Sequence, residues 1–260
     1  MIFLYDNSIE GFLACVFEAY KRNGPDTRIM PSAQLGQIGF EESVFVRADG
    51  EKAERVMRGV LKRTGSEGWD GVLRVFRTAA ENKDTVIYNY LRLVFEMPEP
   101  RTASTMRHGR ILSRFNDPHV IAFAGLLGKF NFETHRFLGF TRFRETASGA
   151  LYAPIAPDHD ILDYIMPHFA DRLIGAPFGI FDTNRHLLGL YDGKTYRTGY
   201  IEASPEIELT QNELAFQTIW KRYYDDIAIE ERKSERRRRG FMPVRYWKYM
   251  PEITNDWERT

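Results

Sequence analysis

Between Glu145 and Arg185 the sequence sets ionisable groups inside apolar frames. His168 and Arg172 are four residues apart, which puts them on one face of a helix. Asp182 ends one apolar run and Glu145 ends another. A carboxylate beside an imidazole and a guanidinium performs acid–base chemistry or grips a phosphate. The same groups also form buried ion-pair networks that hold a helix to a sheet. Both readings require Glu145, His168, Arg172 and Asp182 to converge, with Arg185 beside them.

A second set is Asp158-His159-Asp160 with Asp163 and His168. His159 and Asp163, one helical turn apart, could share an ion. Acidic residues opening a helix also satisfy its orphan N–H groups. That simpler reading is preferred, and no metal or cofactor is expected.

The third set is basic. Residues 230–248 hold eight Lys or Arg against three Glu. Arg236, Arg237, Arg238 and Arg239 are consecutive, and Arg245 and Lys248 alternate with Tyr246, Trp247 and Tyr249. Residues 101–114 carry Arg107, Arg110 and Arg114 with no acidic residue. Cations neutralise phosphates and flat rings stack on bases, so these arginines and Lys248 are the expected nucleic-acid contacts. The alternative is a solvated helix end followed by aromatics docked on the core. Trp247 is assigned to the core, as an anchor for the C-terminal segment.

Familiar signatures are missing. Gly-Leu-Leu-Gly-Lys at residues 125–129 is too short for a phosphate loop and is followed by Phe130. There is no Gly-x-Ser-x-Gly, His-Glu-x-x-His or dinucleotide-binding glycine pattern.

These residues need elements to position them. Lys+Arg and Asp+Glu both total 36 in 260 residues, which excludes a wholly basic binder but not a local basic face. The apolar fraction of 43% supports a sizeable core. Cys15, the single cysteine, allows no internal disulfide and suits a reducing cytoplasm. No leader and no membrane-length apolar run is read, so neither secretion nor membrane insertion is expected.

Ile2 to Tyr5 reads as a strand, and Ser8 caps a following helix. Residues 27–40 read as loop, Val44 to Val46 as a strand, and residues 51–97 as three helices. Two hairpins are predicted, around Ser148-Gly149 and Asp192-Gly193, the first between strands at residues 137–145 and 151–156. A helix between them carries His168. Leu214, Ile219, Trp220, Tyr223 and Ile227 form the inner face of a last long helix, residues 211–232. The expected fold is one α+β domain over residues 1–260. It has an antiparallel sheet of about five strands. A helical insert around 51–132, packed terminal helices and a basic-aromatic segment at 232–252 complete it.

The chain resembles an uncharacterised bacterial family described as a probable DNA metabolism protein. Tyr5-Asp6 with Glu10-Gly11-Phe12-Leu13 carries the resemblance at the start. Phe143, Glu145, His168-Phe169, Arg172, Asp182 and Arg185 carry it in the middle. Met242-Pro243-Val244-Arg245-Tyr246-Trp247-Lys248, the most specific stretch, carries it at the end. The resemblance implies a link to a DNA-repair or DNA-modification radical SAM protein and, in some members, to uracil-DNA glycosylase domains. The single cysteine supplies no radical SAM triad, and 260 residues leave no room for a glycosylase domain. The expectation is therefore an accessory protein that binds DNA and presents it to a partner enzyme. Two alternatives stay open: an enzyme acting through Glu145, His168, Arg172 and Asp182, and a protein-interaction module.

Overall fold

Four apolar residues in a row suit a strand covered on both faces. In the computed structural model, which describes residues 1–22, 27–37, 41–98, 111–114, 116–227 and 234–253, that run is β1 (Ile2–Tyr5), buried along its length. It is the central strand of a parallel sheet, between β2 (Arg28–Pro31) and β3 (Ser43–Phe45). α1 (Ile9–Arg22) crosses over from β1 to β2, and the Ser8 hydroxyl accepts from the Gly11 N–H at 2.9 Å. β2 corrects the loop reading of residues 27–40. Arg-Ile-Met-Pro has no alternating signature, and it is a strand because β1 offers it an edge.

The chain divides into two compact units, Met1–Asn131 and Phe132–Thr260. In the first, α2 (Gly50–Phe76) is capped by Asp49, which accepts from the Glu51 and Lys52 N–H groups at 3.1 Å each. It bends at Gly65, whose φ of 74° suits a residue without a side chain. α3 (Lys83–Glu96) follows. Gly65 breaks the helical geometry of α2 into two segments, so with α3 the three helices expected over residues 51–97 are present, the first two joined at Gly65 alone. The core joins Phe3, Tyr5, Phe12, Val60, Val72 and Tyr90. Tyr90 and Phe123 stack with ring centroids 3.7 Å apart.

α4 (Pro118–Phe140) begins in the first unit and ends in the second. It runs three residues past the start of the strand expected at residue 137, so pairing is confined to β4 (Arg144–Glu145). The order of the second sheet is β4-β5-β6-β7-β8, with β5 (Leu151–Ile155), β6 (Phe178–Asp182), β7 (Leu187–Tyr191) and β8 (Tyr196–Tyr200). β5 and β6 are parallel, and the other pairs are antiparallel. The sheet is therefore mixed rather than antiparallel. α5 (Leu162–Arg172) joins β5 to β6, and this helical crossover carries the chain back to the end of the sheet at which β5 began. α5 lies close on the sheet, and a Cβ at Gly189 would meet Met166 Sδ at 2.6 Å.

Both predicted hairpins form. Gly149 and Gly193 take φ of 79° and 95° at their turns. The second widens to a loop in which Asp192 accepts from the Lys194 and Thr195 N–H groups at 2.8 Å each. α6 (Gln211–Asp226) starts at the Thr210 cap, α7 (Glu235–Phe241) at the Ser234 cap, and a 3₁₀ turn spans Val244–Tyr249. Among the described residues no helix is long and apolar enough to cross a membrane.

One buried acid sets a pH dependence for the first unit. Asp84 is 2% exposed and accepts from the Tyr5 hydroxyl at 3.0 Å. Burial raises its carboxyl to about 6, against the pull of Lys83 and Tyr5. The folded protein therefore holds a proton that the unfolded chain, titrating near 3.8, has lost. Stability from this group is complete below that lower value and falls as pH rises through about 6. Asp84→Asn keeps an acceptor for Tyr5 without the charge. Urea unfolding should show it gaining about 2–3 kcal/mol on wild type between pH 4 and pH 8.

Candidate functional site

The four residues expected to converge do not. Asp182 lies opposite Ile155 at the end of β5, and Glu145 lies opposite Leu151 at its start. Four residues of strand separate those positions by about 13 Å. Arg172 ends α5 at the side from which the chain turns back into β6, whereas Asp182 ends β6. A crossover helix runs against its strands, so the last residue of the helix and the last residue of the next strand fall at opposite ends of the layer. Arg172 is exposed, and half-buried His168 meets Phe169 edge-on at 5.1 Å. Glu145 instead joins the entry to α6. Its carboxylate accepts from the Thr210 hydroxyl at 3.3 Å, and its N–H donates to Glu213 at 3.0 Å.

At the carboxyl ends of β5 and β6, where α/β sheets commonly bind ligands, a polar network closes on itself. Asp182, fully buried, accepts from the Asn184 N–H at 2.9 Å and the Arg185 N–H at 3.3 Å, and pairs with the Arg185 guanidinium at 3.0 Å. Burial raises its carboxyl while Arg185 pulls it back. Arg185 also donates to the carbonyls of Pro157, at 3.0 Å, and Asp158. Glu133, 2% exposed, accepts from the N–H groups of Asp158 at 3.1 Å and His159 at 2.7 Å and from the Tyr246 hydroxyl at 3.3 Å. Arg245 pairs with Asp158 and stands 3.7 Å from Glu133. Burial holds the His159 imidazole below its ordinary value, against the pull of Glu133 and Asp158. Among the described residues no group of three His, Cys, Asp or Glu could hold a metal ion. In this stretch Asp158 pairs with Arg245 and Asp163 accepts from the Thr198 hydroxyl at 2.7 Å, and α5 opens at Ile161 without a side-chain cap, contrary to the expected capping role. Glu133 was not singled out from the sequence, and as one acid on an apolar helix it carries no signal.

The expected nucleic-acid contacts separate into three groups. Arg107 and Arg110 lie outside the described residues, and Arg114 is exposed in the first unit. Arg245 is engaged in the Glu133 network, and the exposed Lys248 ammonium stands 4.9 Å from the Tyr249 ring. Arg236, Arg237 and Arg239 are exposed on α7. Arg238 is half-buried, pairs with Glu235 and lies 4.6 Å over the Trp247 ring. Arg239 stands 3.4 Å from Glu235.

The surroundings of α7 add members that the sequence alone did not show. Arg136 donates to the Gly240 carbonyl at 3.5 Å and lies 4.0 Å over Phe132. Phe132 is 56% exposed and Phe241 77%. Arg136 and the exposed Phe132 thus lie beside α7, on which Arg236, Arg237, Arg239 and Phe241 are exposed. The only sequence signal of this grouping is the four-residue spacing of Phe132 and Arg136, which reads equally as one face of any helix.

The C-terminal segment is held by other residues than the one expected. Tyr246, Tyr249 and Met250 are buried. Tyr246 meets Phe137 edge-on at 5.1 Å, and Tyr249 reaches the Thr183 hydroxyl at 3.1 Å. Glu252 accepts from Arg142 at 2.6 Å and from the Trp220 indole at 3.4 Å. Trp247 is half-buried, and its indole N–H donates to Met242 within its own segment at 2.9 Å. It shapes the local turn and rests under Arg238 rather than anchoring the segment.

α6 also departs from expectation. Leu214, Ile219, Tyr223 and Ile227, read as its inner face, are exposed, Ile219 by 65%. Glu213, which caps into β4 and receives Gln217 at 2.8 Å, is its buried residue.

Residues 81–252 match a protein family described as Domain of unknown function (DUF4130). That match covers most of the chain, which therefore belongs to this family. It takes in α3 and the second unit as far as Glu252 and leaves out β1–β3, α1 and α2. No curated protein matches the chain.

Two substitutions separate the anchor from its neighbour. Tyr246→Ala should cost about 3–5 kcal/mol, as for other large aromatics removed from a core. Trp247→Ala should cost about 1–2 kcal/mol, for one hydrogen bond and one cation–π contact. Chemical denaturation of both variants checks the order, and a larger loss at Trp247 would return the anchor to that residue.

Proposed function

We propose that the chain is an accessory protein of DNA repair or modification, which binds nucleic acid on α7 and presents it to a partner enzyme. The observation that carries the reading is the surface formed by Arg136, Arg236, Arg237 and Arg239 with exposed Phe132 and Phe241. Guanidinium groups neutralise phosphates and release counterions, and exposed rings offer stacking platforms to unpaired bases. The binding is backbone-directed and tolerant of sequence, since cations on phosphates and rings on base faces read no base edge.

The partner is a radical SAM protein, on the resemblance carried by Met242-Pro243-Val244-Arg245-Tyr246-Trp247-Lys248. A uracil-DNA glycosylase is a further partner on the same ground. The exposed stripe of Phe216, Ile219, Tyr223 and Ile227 on α6 favours a second reading, a protein-interaction module, since contiguous exposed apolar residues mark contact surfaces. The two readings are compatible: one surface grips DNA while the other docks a protein.

The test is charge reversal at Arg236, Arg237 and Arg239 together, with a fluorescent oligonucleotide titrated at several salt concentrations. Affinity should fall, and the slope of log affinity against log salt should shrink by about 2–3, from roughly 0.7–0.9 per lost phosphate contact. The unfolding midpoint should stay near that of wild type. Unchanged affinity would remove α7 from the binding surface. Ile219→Asp with Tyr223→Asp should leave oligonucleotide affinity intact while abolishing co-purification of the partner.

A further inference from the structure

The first unit carries a groove of its own between α1 and α2. It is an open cavity of about 1080 Å³, at the upper end of ligand-site volumes. Six cations line it: Lys21, Lys52, Arg55, Arg58, Lys62 and Arg63. Two acids, Glu51 and Glu54, oppose them. In a chain whose net charge is zero, this is a strong local excess of positive charge.

The cations have different duties. Lys52 pairs with Glu18 at 3.0 Å and Asp49 at 3.3 Å, and Arg58 pairs with Glu54 at 3.2 Å. Arg63 donates to the Met97 carbonyl at 3.1 Å and lies 5.8 Å over Phe95. Arg55 lies 5.5 Å over Phe17. Lys21, Arg55 and Lys62 are exposed.

The apolar lining is aromatic as well as aliphatic. Phe17, Tyr20 and Phe95 face the groove, and Tyr20 meets Phe95 edge-on at 5.4 Å while remaining 45% exposed. A groove that offers both cations and rings answers to a ligand that has both phosphates and unpaired bases. Along α2, from Glu51 to Arg63, the lining extends about 18 Å at 1.5 Å per residue. That length can accommodate several consecutive phosphates of one strand. A duplex keeps its bases stacked on one another and could use only the cations.

We propose that this groove is a second nucleic-acid site, selective for single strands, in which Lys21, Arg55 and Lys62 meet phosphates and Tyr20 stacks on a base. It does not depend on α7. Apart from Phe95, its lining precedes residue 81 and so lies outside the segment that matches the family.

The experiment uses the full chain, a fluorescent oligothymidylate, a duplex of equal length and polyglutamate as competitor. Lys21→Gln, Arg55→Gln and Lys62→Gln are combined, since exposed neutral replacements leave the core untouched, and circular dichroism checks the fold. The triple variant should lose about 100-fold in single-strand affinity at 0.1 M salt, and the salt slope should shrink by about 2. Tyr20→Ala should lose about tenfold for the single strand and little for the duplex. Unchanged single-strand affinity in the folded triple variant overturns the proposal. So does equal affinity for duplex and single strand, or displacement by polyglutamate as effective as by oligothymidylate at equal charge. Loss in this variant with no loss in the α7 variant leaves the groove standing and removes α7. The opposite pattern leaves α7 and removes the groove.

Discussion

The second unit depends on what the buried Glu133 carboxylate accepts. A carboxylate taken out of water needs its lone pairs satisfied, and Glu133 has the Asp158 and His159 N–H groups and the Tyr246 hydroxyl on them. Those donors come from the loop after β5 and from the C-terminal 3₁₀ turn, and the acceptor from α4. One side chain thus fixes where the crossover leaves the sheet and where the C-terminal segment lies. Arg245 adds charge compensation from outside, against both Glu133 and Asp158. With Tyr246 held in this way, the preceding helix α7 has a defined place beside Arg136, and its exposed arginines form a surface rather than a free arm.

Zero net charge conceals a strongly patterned molecule. Over a screening length of about 8–10 Å at ordinary salt, a ligand feels the nearest few groups and not the total. Local excess therefore decides what each surface attracts. In the second unit it is concentrated on a short helix and the last turns of α4, and in the first along the α1–α2 groove. Many other arginines are bound internally. Arg142 holds Glu252, Arg185 holds Asp182, and Arg74 holds Asp70 at 2.7 Å. Arg144, 2% exposed, lies opposite Tyr152 in the β4–β5 register, and burial lowers its pKa. Such cations hold elements together and are not available to a polyanion.

Parallel pairing of β5 and β6 governs which side chains meet. Because α5 runs against the strands it connects, His168 and Arg172 progress away from the edge where Asp182 and Arg185 lie. The edge that does collect polar groups takes them from loops and from a distant helix. Asn184 donates to Pro157 at 3.0 Å, and Thr183 donates to the Ile155 carbonyl at 3.1 Å. The buried carboxylates there, Asp182 and Glu133, accept from backbone and side-chain donors of the chain, the pattern of a brace.

Local chemistry was readable directly from the sequence. The Ser8 cap, the four-residue strand β1, the turns at Gly149 and Gly193, and the exposure of Arg236, Arg237 and Arg239 follow from residue type and nearest neighbours. Such features depend on backbone conformations and hydration that a few residues decide alone. Everything that required distant partners was settled by tertiary structure. β2 is a strand because β1 lies beside it, and residues 137–140 are helical because α4 continues through them. The face of α6 that reads as apolar is exposed because the helix is fixed through Glu213 at its start. Glu145 and Asp182 stand apart because register places them at opposite ends of β5. Spacing along the chain fixes the face of a helix on which a residue lies. Only the pairing of strands and the direction of a crossover decide which of those faces come together.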